Sequence, residues 1–322
     1  MFSDIIDIVK ELLGMFVNSN TRIFIPYLIS SLLIAIIFYY FKVYKKSNGK
    51  INIIKFLFPM EIIKHKSAKQ DYLIFIIYNL LRIFILVPLV FSGISFAIFI
   101  QDSFISWFGF IDTSFLTIGY IIILYTVILL LFHDFTKFVV HYLAHRIPFL
   151  WEFHKVHHSA EVMTPITQYR THPVEQLLFF INGAFSFGLI TGIFLYLFPE
   201  NFTYYSILGV NIGRFFFLFL GANLRHSHLY LSYGKFLEYI FISPAQHQIH
   251  HSNSNKLMHK NMGSQFAIWD YMFGTLKLAK DVNRKSINFG LGIEDDTLKS
   301  NIRNLYFLPF RNFIDRLKLH SK

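Results

Sequence analysis

Long apolar stretches restrict the fold of this 322-residue chain more than any other feature. A helical run of about 20 apolar residues is long enough to cross the hydrocarbon core of a bilayer. The bilayer core holds no water to satisfy exposed backbone groups, so a single run of this length is expected to be helical. Four stretches meet the length criterion. They are residues 22–41, 72–100, 115–140 and 174–198.

A fifth apolar run, residues 202–220, is less regular because it contains Arg214. Pro199, Glu200 and Asn201 separate it from the fourth run, and we predict that the two runs form a hairpin that crosses the bilayer or re-enters it. Apolar residues make up 54% of the chain and charged residues 15%, against about 45–50% and about 25% in soluble domains. The sequence therefore predicts an all-α integral membrane protein with about four to five transmembrane or re-entrant helices.

The distribution of basic residues predicts an orientation in the membrane. Residues 42–71 contain eight lysines, whereas residues 101–114 contain no Lys or Arg. Cytoplasmic loops carry an excess of Lys and Arg, so this bias places the N-terminus outside and the lysine-rich loop inside. It also places residues 141–172, and everything after Arg225, on the cytoplasmic side. Membrane topology accounts for most of the net charge of +11, and we expect no nucleic-acid partner.

Clustered histidines are the strongest candidates for chemistry. Thirteen of the 15 histidines lie between His133 and His259, and they include one HxxxH group and two HxxHH groups. Histidines three or four residues apart lie on one face of a helix and can bind the same metal ion. The three groups are His141 and His145; His154, His157 and His158; and His247, His250 and His251.

Eight clustered histidines are more than one metal ion can bind, so the sequence predicts two metal ions that share about eight to ten ligands. His172, His226 and His228 lie between the second and third groups and complete the predicted ligand set. His259 is expected to be peripheral. Imidazole suits zinc, copper, iron and nickel, so the ligand type does not identify the metal. The acidic residues available to hydrogen-bond the outer ring nitrogens are Asp134, Glu152, Glu161, Glu175 and Asp270.

A series of motifs runs in order from Asp134 to Thr275. They are Asp134-Phe-x-x-Phe-x-x-His141-x-x-x-His145-Arg146, Leu150-Trp151-x-x-His154-x-x-His157-His158-Ser159-Ala160-Glu161, Arg170-x-His172-Pro173-x-Glu175, His226-Ser227-His228, Ser243-Pro244-x-x-His247-x-x-His250-His251-Ser252, Asn261-x-Gly263 and Trp269-Asp270-x-x-Phe273-Gly274-Thr275. In this order and spacing they resemble the fatty acid hydroxylase/sterol desaturase superfamily. The resemblance covers residues 134–275, and it is specific because several motifs recur together.

The resemblance implies a membrane oxygenase with a histidine-ligated dimetal centre, taken as two iron ions, with zinc possible in a purified protein. Such a centre uses O₂ as cosubstrate and removes hydrogen from an unactivated C–H bond of a sterol, fatty acyl or ether lipid. The reaction would be a hydroxylation or another monooxygenation, a desaturation, or an ether cleavage. Because the chain has no dinucleotide-binding fingerprint, electrons are expected from a separate reductase, ferredoxin or cytochrome.

The chain departs from the family pattern at four positions. Tyr142 follows His141 where Arg is usual, and His228 stands where many members have Asn. His259 stands where Asp is common, and Met262 where Tyr is common. These departures leave the subfamily, and with it the substrate, open.

Three regions are predicted from these patterns. Residues 1–71 hold a short N-terminal helix, the first span and the basic loop; residues 72–275 form the membrane-embedded catalytic domain; residues 276–322 form a basic cytoplasmic tail. The N-terminal segment lacks the basic start and the small-residue cleavage site of a secretory signal, so a short amphipathic helix is expected there. The histidine-rich part of the catalytic domain is predicted to cap the spans on the cytoplasmic side.

Two other functions use the same histidines. A membrane zinc metallohydrolase would need a carboxylate base beside the metal, and the chain has no HExxH arrangement. A non-enzymatic metal-binding or transport protein would place its ligands inside the spans, whereas these histidines cluster at the predicted helix ends. The absence of cysteine excludes thiolate metal sites and a cysteine nucleophile.

Overall fold

The fold is mainly helical. The computed structural model describes residue 10 and residues 13–82, 93–111, 117–199, 206–207, 210–292 and 296–320. The α-helices are α1 Ile25–Phe38, α2 Lys45–Ser47, α3 Ile53–Leu57, α4 Met60–Ile63, α5 Lys66–Leu81, α6 Gly93–Phe108, α7 Ile118–Arg146, α8 Pro148–His158, α9 Pro173–Leu197, α10 Ile212–Phe219, α11 Gly234–Leu237, α12 Pro244–His250, α13 Ile268–Met272, α14 Asp296–Lys299 and α15 Ile302–His320.

Shorter elements join these helices. A π-helix, Tyr39–Tyr44, continues α1 into α2. Two two-residue strands, β1 Ser206–Ile207 and β2 Val210–Asn211, pair antiparallel in the register Ser206 to Asn211. The 3₁₀ turns are Thr167–Tyr169, Ala222–Arg225, Ala279–Asp281 and Arg284–Ser286. The predicted N-terminal amphipathic helix falls largely on residues outside the described part of the chain.

Three helices of the described residues are long and apolar enough to cross a membrane, namely Ile25–Ser47, Ile118–Arg146 and Pro173–Leu197. They correspond to the first, third and fourth predicted runs, so the prediction of an all-α protein with membrane-length helices is confirmed for these three. The second predicted run is divided between α5 and the shorter apolar helix α6, and residues 83–92 between them lie outside the description. In the fifth run, α10 has eight residues and a length of about 12 Å, too short to cross.

Helices α6, α7 and α9 form the apolar layer, and α7 and α9 run antiparallel. Tyr125 and Thr191 share a hydrogen bond of 2.8 Å between their hydroxyls, near the start of α7 and the end of α9. Small residues on α9 allow α6 to approach closely, as at helix interfaces within membranes. A Cβ at Gly192 would lie 2.5 Å from the Ala97 carbonyl oxygen. The core between α7 and α9 is apolar and buried: Ile121, Tyr125, Leu129, Ile190, Phe194 and Phe198.

A helical domain covers the end of this layer where α7 finishes and α9 begins. This histidine domain consists of α8, α12, α13 and the turns between them, and α5 and α15 pack against it. A fully buried ion pair, Arg170 Nη1 to Asp71 Oδ1 at 2.7 Å, joins the segment after α8 to α5. Ser243 and Gln246 form a capping box at the start of α12, which satisfies backbone donors of its first turn.

The N-terminal end of α1 differs from the predicted topology. Arg22, predicted at the outer end of the first span, lines the same cavity as His157 and His226, and its carbonyl accepts a hydrogen bond from Asn223 Nδ2 at 2.9 Å. The other end of α1 also contacts the histidine domain, where Ala35 packs in one buried cluster with Leu224 and Leu229. The predicted separation of Arg22 from the histidines by the membrane is therefore wrong. The lysine count assigned an orientation to the loops but carried no information on how α1 packs.

Candidate metal centre

Three helix ends bring the clustered histidines together. His141 and His145 lie in the last two turns of α7, one helical turn apart, and α8 starts two residues after α7 ends. Because Ile147 takes an extended conformation before Pro148, the chain turns sharply and α8 folds back toward the end of α7. Helix α12 brings the third cluster from the other side.

The first histidine group has five members, each with one ring nitrogen within 4.8 Å of those of the others. His154 lies among them. Its Nε2 is 2.9 Å from His145 Nε2 and 3.1 Å from both His141 Nε2 and His158 Nε2. The group is His141, His145, His154, His158 and His250.

The second group has four members, and all four are buried. His226 Nε2 lies 3.0 Å from His247 Nε2, 3.1 Å from His251 Nε2 and 3.3 Å from His157 Nε2. His226 follows directly on the 3₁₀ turn Ala222–Arg225. The group is His157, His226, His247 and His251.

Hydrogen bonds on the outer ring nitrogens determine which nitrogen of each ring carries the proton and which has a free lone pair. His141 Nδ1 donates to the Met262 carbonyl at 2.6 Å, and His250 Nδ1 donates to the Lys260 carbonyl at 2.9 Å. His154 Nδ1 donates to Glu175 Oε1 at 2.6 Å. A neutral imidazole carries one proton, so the Nε2 atoms of these three rings present lone pairs to one another. His250 Nε2 is buried without a hydrogen-bond partner. A shared cation is what such converging lone pairs require.

The spacing of the nitrogens fits metal coordination. With metal–nitrogen bonds of about 2.0–2.1 Å, two ligands at a right angle lie about 3.0 Å apart. The contacts in both groups match this separation, at 2.9–3.1 Å in the first and 3.0–3.3 Å in the second. Nitrogen ligands without thiolates suit iron, zinc, copper or nickel. The residues present therefore fit two metal ions held by histidine alone.

Burial keeps these rings in the form that binds metal. Desolvation lowers the pKa of His154 and of His157 to about 3. It also lowers the pKa of His158, His247 and His251 well below the ordinary value, and neighbouring histidines lower it further. Metal ligation needs neutral imidazole, and the folded protein supplies it throughout the physiological pH range.

Backbone groups of one segment orient part of the first group. Asp270 accepts hydrogen bonds from Met262 N at 2.8 Å and Gly263 N at 2.7 Å, which fixes the segment whose Met262 carbonyl receives the proton of His141. Burial raises the pKa of Asp270 to about 6, against the opposing effect of these hydrogen bonds. Asp270 therefore acts on the histidines through the backbone.

Among the five acids considered from the sequence, Glu175 contacts a histidine directly. Asp134 accepts from Gln265 N and Phe266 N. Glu152 pairs with Lys155 and Arg316, and Glu161 pairs with Lys299. These three acids hold neighbouring elements together.

Two predicted ligands lie outside both groups. His172 caps α9, where its Nδ1 accepts from Val174 N at 3.2 Å and its Nε2 donates to the Tyr306 carbonyl at 3.0 Å. Both of its ring nitrogens are used. The ring of His228 lies against Phe56, with centroids 5.2 Å apart. The spacing of histidines in the sequence does not distinguish these two residues from the histidines that face the centre.

His259, expected to be peripheral, lies outside both groups and contacts one ligand ring, that of His145. Its Nδ1 lies 3.3 Å from His145 Nδ1, on the outer side of that ring. The family commonly has Asp at this position, and a carboxylate there would accept the His145 proton. That departure was the signal in the sequence for a residue that orients His145.

A cavity of about 400 Å³ adjoins both histidine groups. Six of its lining residues are histidines. Five more are Lys or Arg, and the sequence analysis assigned none of these five to the site. Arg214 interrupts an apolar run, and charged residues in such runs are costly and commonly functional, so it was the available signal. The basic residues are Arg22, Arg82, Lys137, Arg214 and Arg225.

The fold and the site define a helical protein with membrane-length apolar helices and two buried histidine groups suited to metal ions. Residues 126–275 match the family model of the fatty acid hydroxylases. The match begins eight residues before the predicted motif region and ends at the same residue, and it confirms the predicted superfamily for this part of the chain.

Curated relatives include lipid-oxidising enzymes. An alkylglycerol monooxygenase of Caenorhabditis elegans is 28% identical over 148 residues, 46% of this chain and 26% of the relative. An alkylglycerol monooxygenase of Danio rerio is 30% identical over 148 residues, 46% of this chain and 29% of the relative. The ornithine lipid hydroxylase OlsE of Rhizobium tropici is 31% identical over 142 residues, 44% of this chain and 38% of the relative. The chain thus spans well under half the length of these relatives. No solved structure gives a significant match.

Proposed function

We propose that this chain is an O₂-dependent lipid oxidoreductase whose two buried histidine groups hold two iron ions. The observation that carries the proposal is the convergence of nine histidines into groups of five and four. Nine of the eleven ligands predicted from the sequence are retained, and His172 and His228 are not. Iron is favoured over zinc because the fatty acid hydroxylase match and the relatives' names describe oxygenations.

Bound iron would supply the oxidant that an unactivated C–H bond requires, since no side chain can cleave such a bond by acid–base chemistry. The protein's own contribution is to position and protect. Glu175, through His154, and the carbonyls of Lys260 and Met262 fix which ring nitrogen faces the centre. Burial of the ligands excludes water, which limits side reactions.

A hydrolytic role for the same histidines is disfavoured by the position of Glu175. A metallohydrolase places a carboxylate base beside the metal-bound water. Glu175 instead accepts the proton of His154 Nδ1 at 2.6 Å, on the side of the ring away from the other histidines. The carboxylate therefore orients a ligand and is not placed to activate water.

The substrate is proposed to be a membrane lipid, because the relatives named above act on alkylglycerols or ornithine lipids and because long apolar helices flank the cavity. Electrons are proposed to come from a separate reductase, ferredoxin or cytochrome. We place the histidine domain on the cytoplasmic side and keep the division into residues 1–71, a catalytic domain of residues 72–275 and a tail of residues 276–322.

Metal analysis of matched histidine variants tests the proposal. Full-length protein, purified under iron-replete conditions, is expected to contain about two iron ions per chain and to consume O₂ when given a reductant and its lipid. His250→Ala removes a ring that faces four others and is expected to lose at least one iron. His228→Ala is the control, since it removes a partly buried histidine that lies outside both groups. Equal iron content in the two variants, or a wild-type protein that binds fewer than two metal ions, would overturn the proposed centre.

A further inference from the structure

The cavity beside the histidines is unusually basic. Among the described residues that line it are five basic side chains and one acidic side chain, Glu175, whose carboxylate already accepts from His154. A charged group removed from water is costly unless it is paired. Within the described lining, the excess of positive charge therefore favours the binding of an anionic ligand.

The polar partners of three of these cations are neutral groups. Arg22 Nη1 donates to the amide oxygen of Gln168 at 3.1 Å. Arg225 Nη2 donates to a backbone carbonyl at 2.9 Å and its guanidinium lies 4.4 Å from the ring centroid of Phe217. Lys137 Nζ lies 5.8 Å from the ring centroid of Phe179. Amides, carbonyls and aromatic faces hold these side chains in place, and no carboxylate among the described residues forms an ion pair with them.

The cations also lie close enough to repel one another. After burial, the charge of Arg214 is the main influence that lowers the pKa of Arg22. This mutual repulsion is relieved when an anion enters between them.

The nearby acids are already committed to other contacts. Asp134 accepts from two backbone amides and from Trp269 Nε1. Asp71 is paired with Arg170 at 2.7 Å and accepts from Thr167. Neither carboxylate is placed in the cavity lining.

We infer that this cavity binds the oxyanion headgroup of a lipid, a phosphate or a carboxylate, beside Arg22 and Lys137. Arginine forks match both oxyanions, and lysine adds a point charge. The inference rests on the proposed function for its consequence, which is that the oxidised carbon lies close to the headgroup. Cations and histidines line one cavity of about 400 Å³, at the small end of ligand sites, so the headgroup and the first few carbons fill it. Phe179, Phe180 and Met15 supply the apolar wall for those carbons.

Binding of three lipids that differ only in headgroup tests the inference without requiring turnover. Full-length protein in neutral phosphatidylcholine nanodiscs is titrated, without O₂, with hexadecyl phosphate, palmitate or hexadecanol. The two anionic lipids are expected to bind at least about tenfold more tightly than the alcohol, because each charge-assisted hydrogen bond contributes about that much. Equal binding of all three overturns the inference.

Matched variants locate the binding to the cavity. Arg22→Gln and Lys137→Gln are each expected to weaken binding of hexadecyl phosphate about tenfold and to leave hexadecanol unchanged. Arg311→Gln and Lys280→Gln remove exposed charges that are not part of the cavity lining and are expected to change neither affinity. If the control variants lose as much as the cavity variants, the lipid adsorbs to the basic surface and the inference fails. Inorganic phosphate that binds as tightly as hexadecyl phosphate would show a free-phosphate site and would also overturn it.

The position of oxidation separates this inference from the proposed function. With iron, reductant and O₂, the anionic lipid is expected to be oxidised within its first few carbons, as read by mass spectrometry. Oxidation at mid-chain or at the far end would overturn the inference and leave the proposed function standing. A protein that binds anionic lipid in the cavity but neither holds iron nor oxidises any lipid would refute the proposed function alone.

Discussion

Removal of the Glu175 carboxylate should weaken metal binding in the first histidine group without unfolding the protein. Glu175 is buried, and its Oε1 lies 2.6 Å from Nδ1 of His154, the ring whose Nε2 is within 3.1 Å of three other histidines. Partners of this kind orient ligand rings and raise their basicity, and their loss costs about 10–100-fold in metal affinity. That range corresponds to about 1.4–2.7 kcal/mol.

Two substitutions at Glu175 separate the effect of its charge from the effect of its hydrogen bond. Glu175→Gln keeps an acceptor for the His154 proton but loses the charge, and charge-assisted hydrogen bonds are about twice as strong as neutral ones. We expect about tenfold weaker iron binding for Gln and about hundredfold for Ala, measured by competition with a chelator of known affinity. Glu161→Gln, at a half-exposed ion pair with Lys299, is the matched control. Affinities for both Glu175 variants within a factor of about two of the control would refute the reasoning.

Three further predictions concern the scaffold. Asp71→Asn leaves Arg170 buried without its partner and is expected to cost about 3–5 kcal/mol of unfolding free energy, measured by chemical denaturation; an unchanged midpoint would contradict it. Gly192→Leu is expected to separate α9 from α6, because even a Cβ there would lie 2.5 Å from the Ala97 carbonyl oxygen. The variant should therefore have a lower melting temperature than a variant with a substitution on the lipid-facing side of α9. Burial lowers the pKa of His172 to about 4, below the ordinary value of about 6.5, so the unfolded state takes up its proton first and stability falls as pH decreases from about 6.5 to 4. The His172→Gln variant should show a shallower loss of melting temperature over that pH range, and equal slopes would refute the assignment.

The candidate site was predictable to the extent that local spacing determines it. Histidines three or four residues apart must share a helix face, so the three clusters followed directly from the sequence. Which of the remaining histidines turn toward the centre depends on tertiary contacts. His172 does not face the centre because one ring nitrogen caps α9 and the other hydrogen-bonds to α15. Helix α15 lies more than 100 residues later in the chain.

The fold was predictable where apolar runs are uninterrupted, as in α7 and α9. It was less so for α1 and for the run containing Arg214. Apolar content measures the affinity of a segment for a nonpolar environment, and both lipid and a protein surface provide one. The contact of Asn223 with the carbonyl of Arg22 is set by packing between distant segments, which a hydropathy pattern does not encode.

The hydrogen bonds from His141 and His250 to backbone carbonyls have an evolutionary consequence. Main-chain oxygens at residues 260 and 262 accept these hydrogen bonds, so the orientation of the two rings does not depend on the identity of the side chains at these positions. Met262, which replaces the Tyr common in the family, is a case in point: the centre depends on its carbonyl and its N–H, both of which every residue other than proline possesses. Selection at this segment therefore acts on backbone shape, held by Asp270, and a comparison of side chains alone would overlook it.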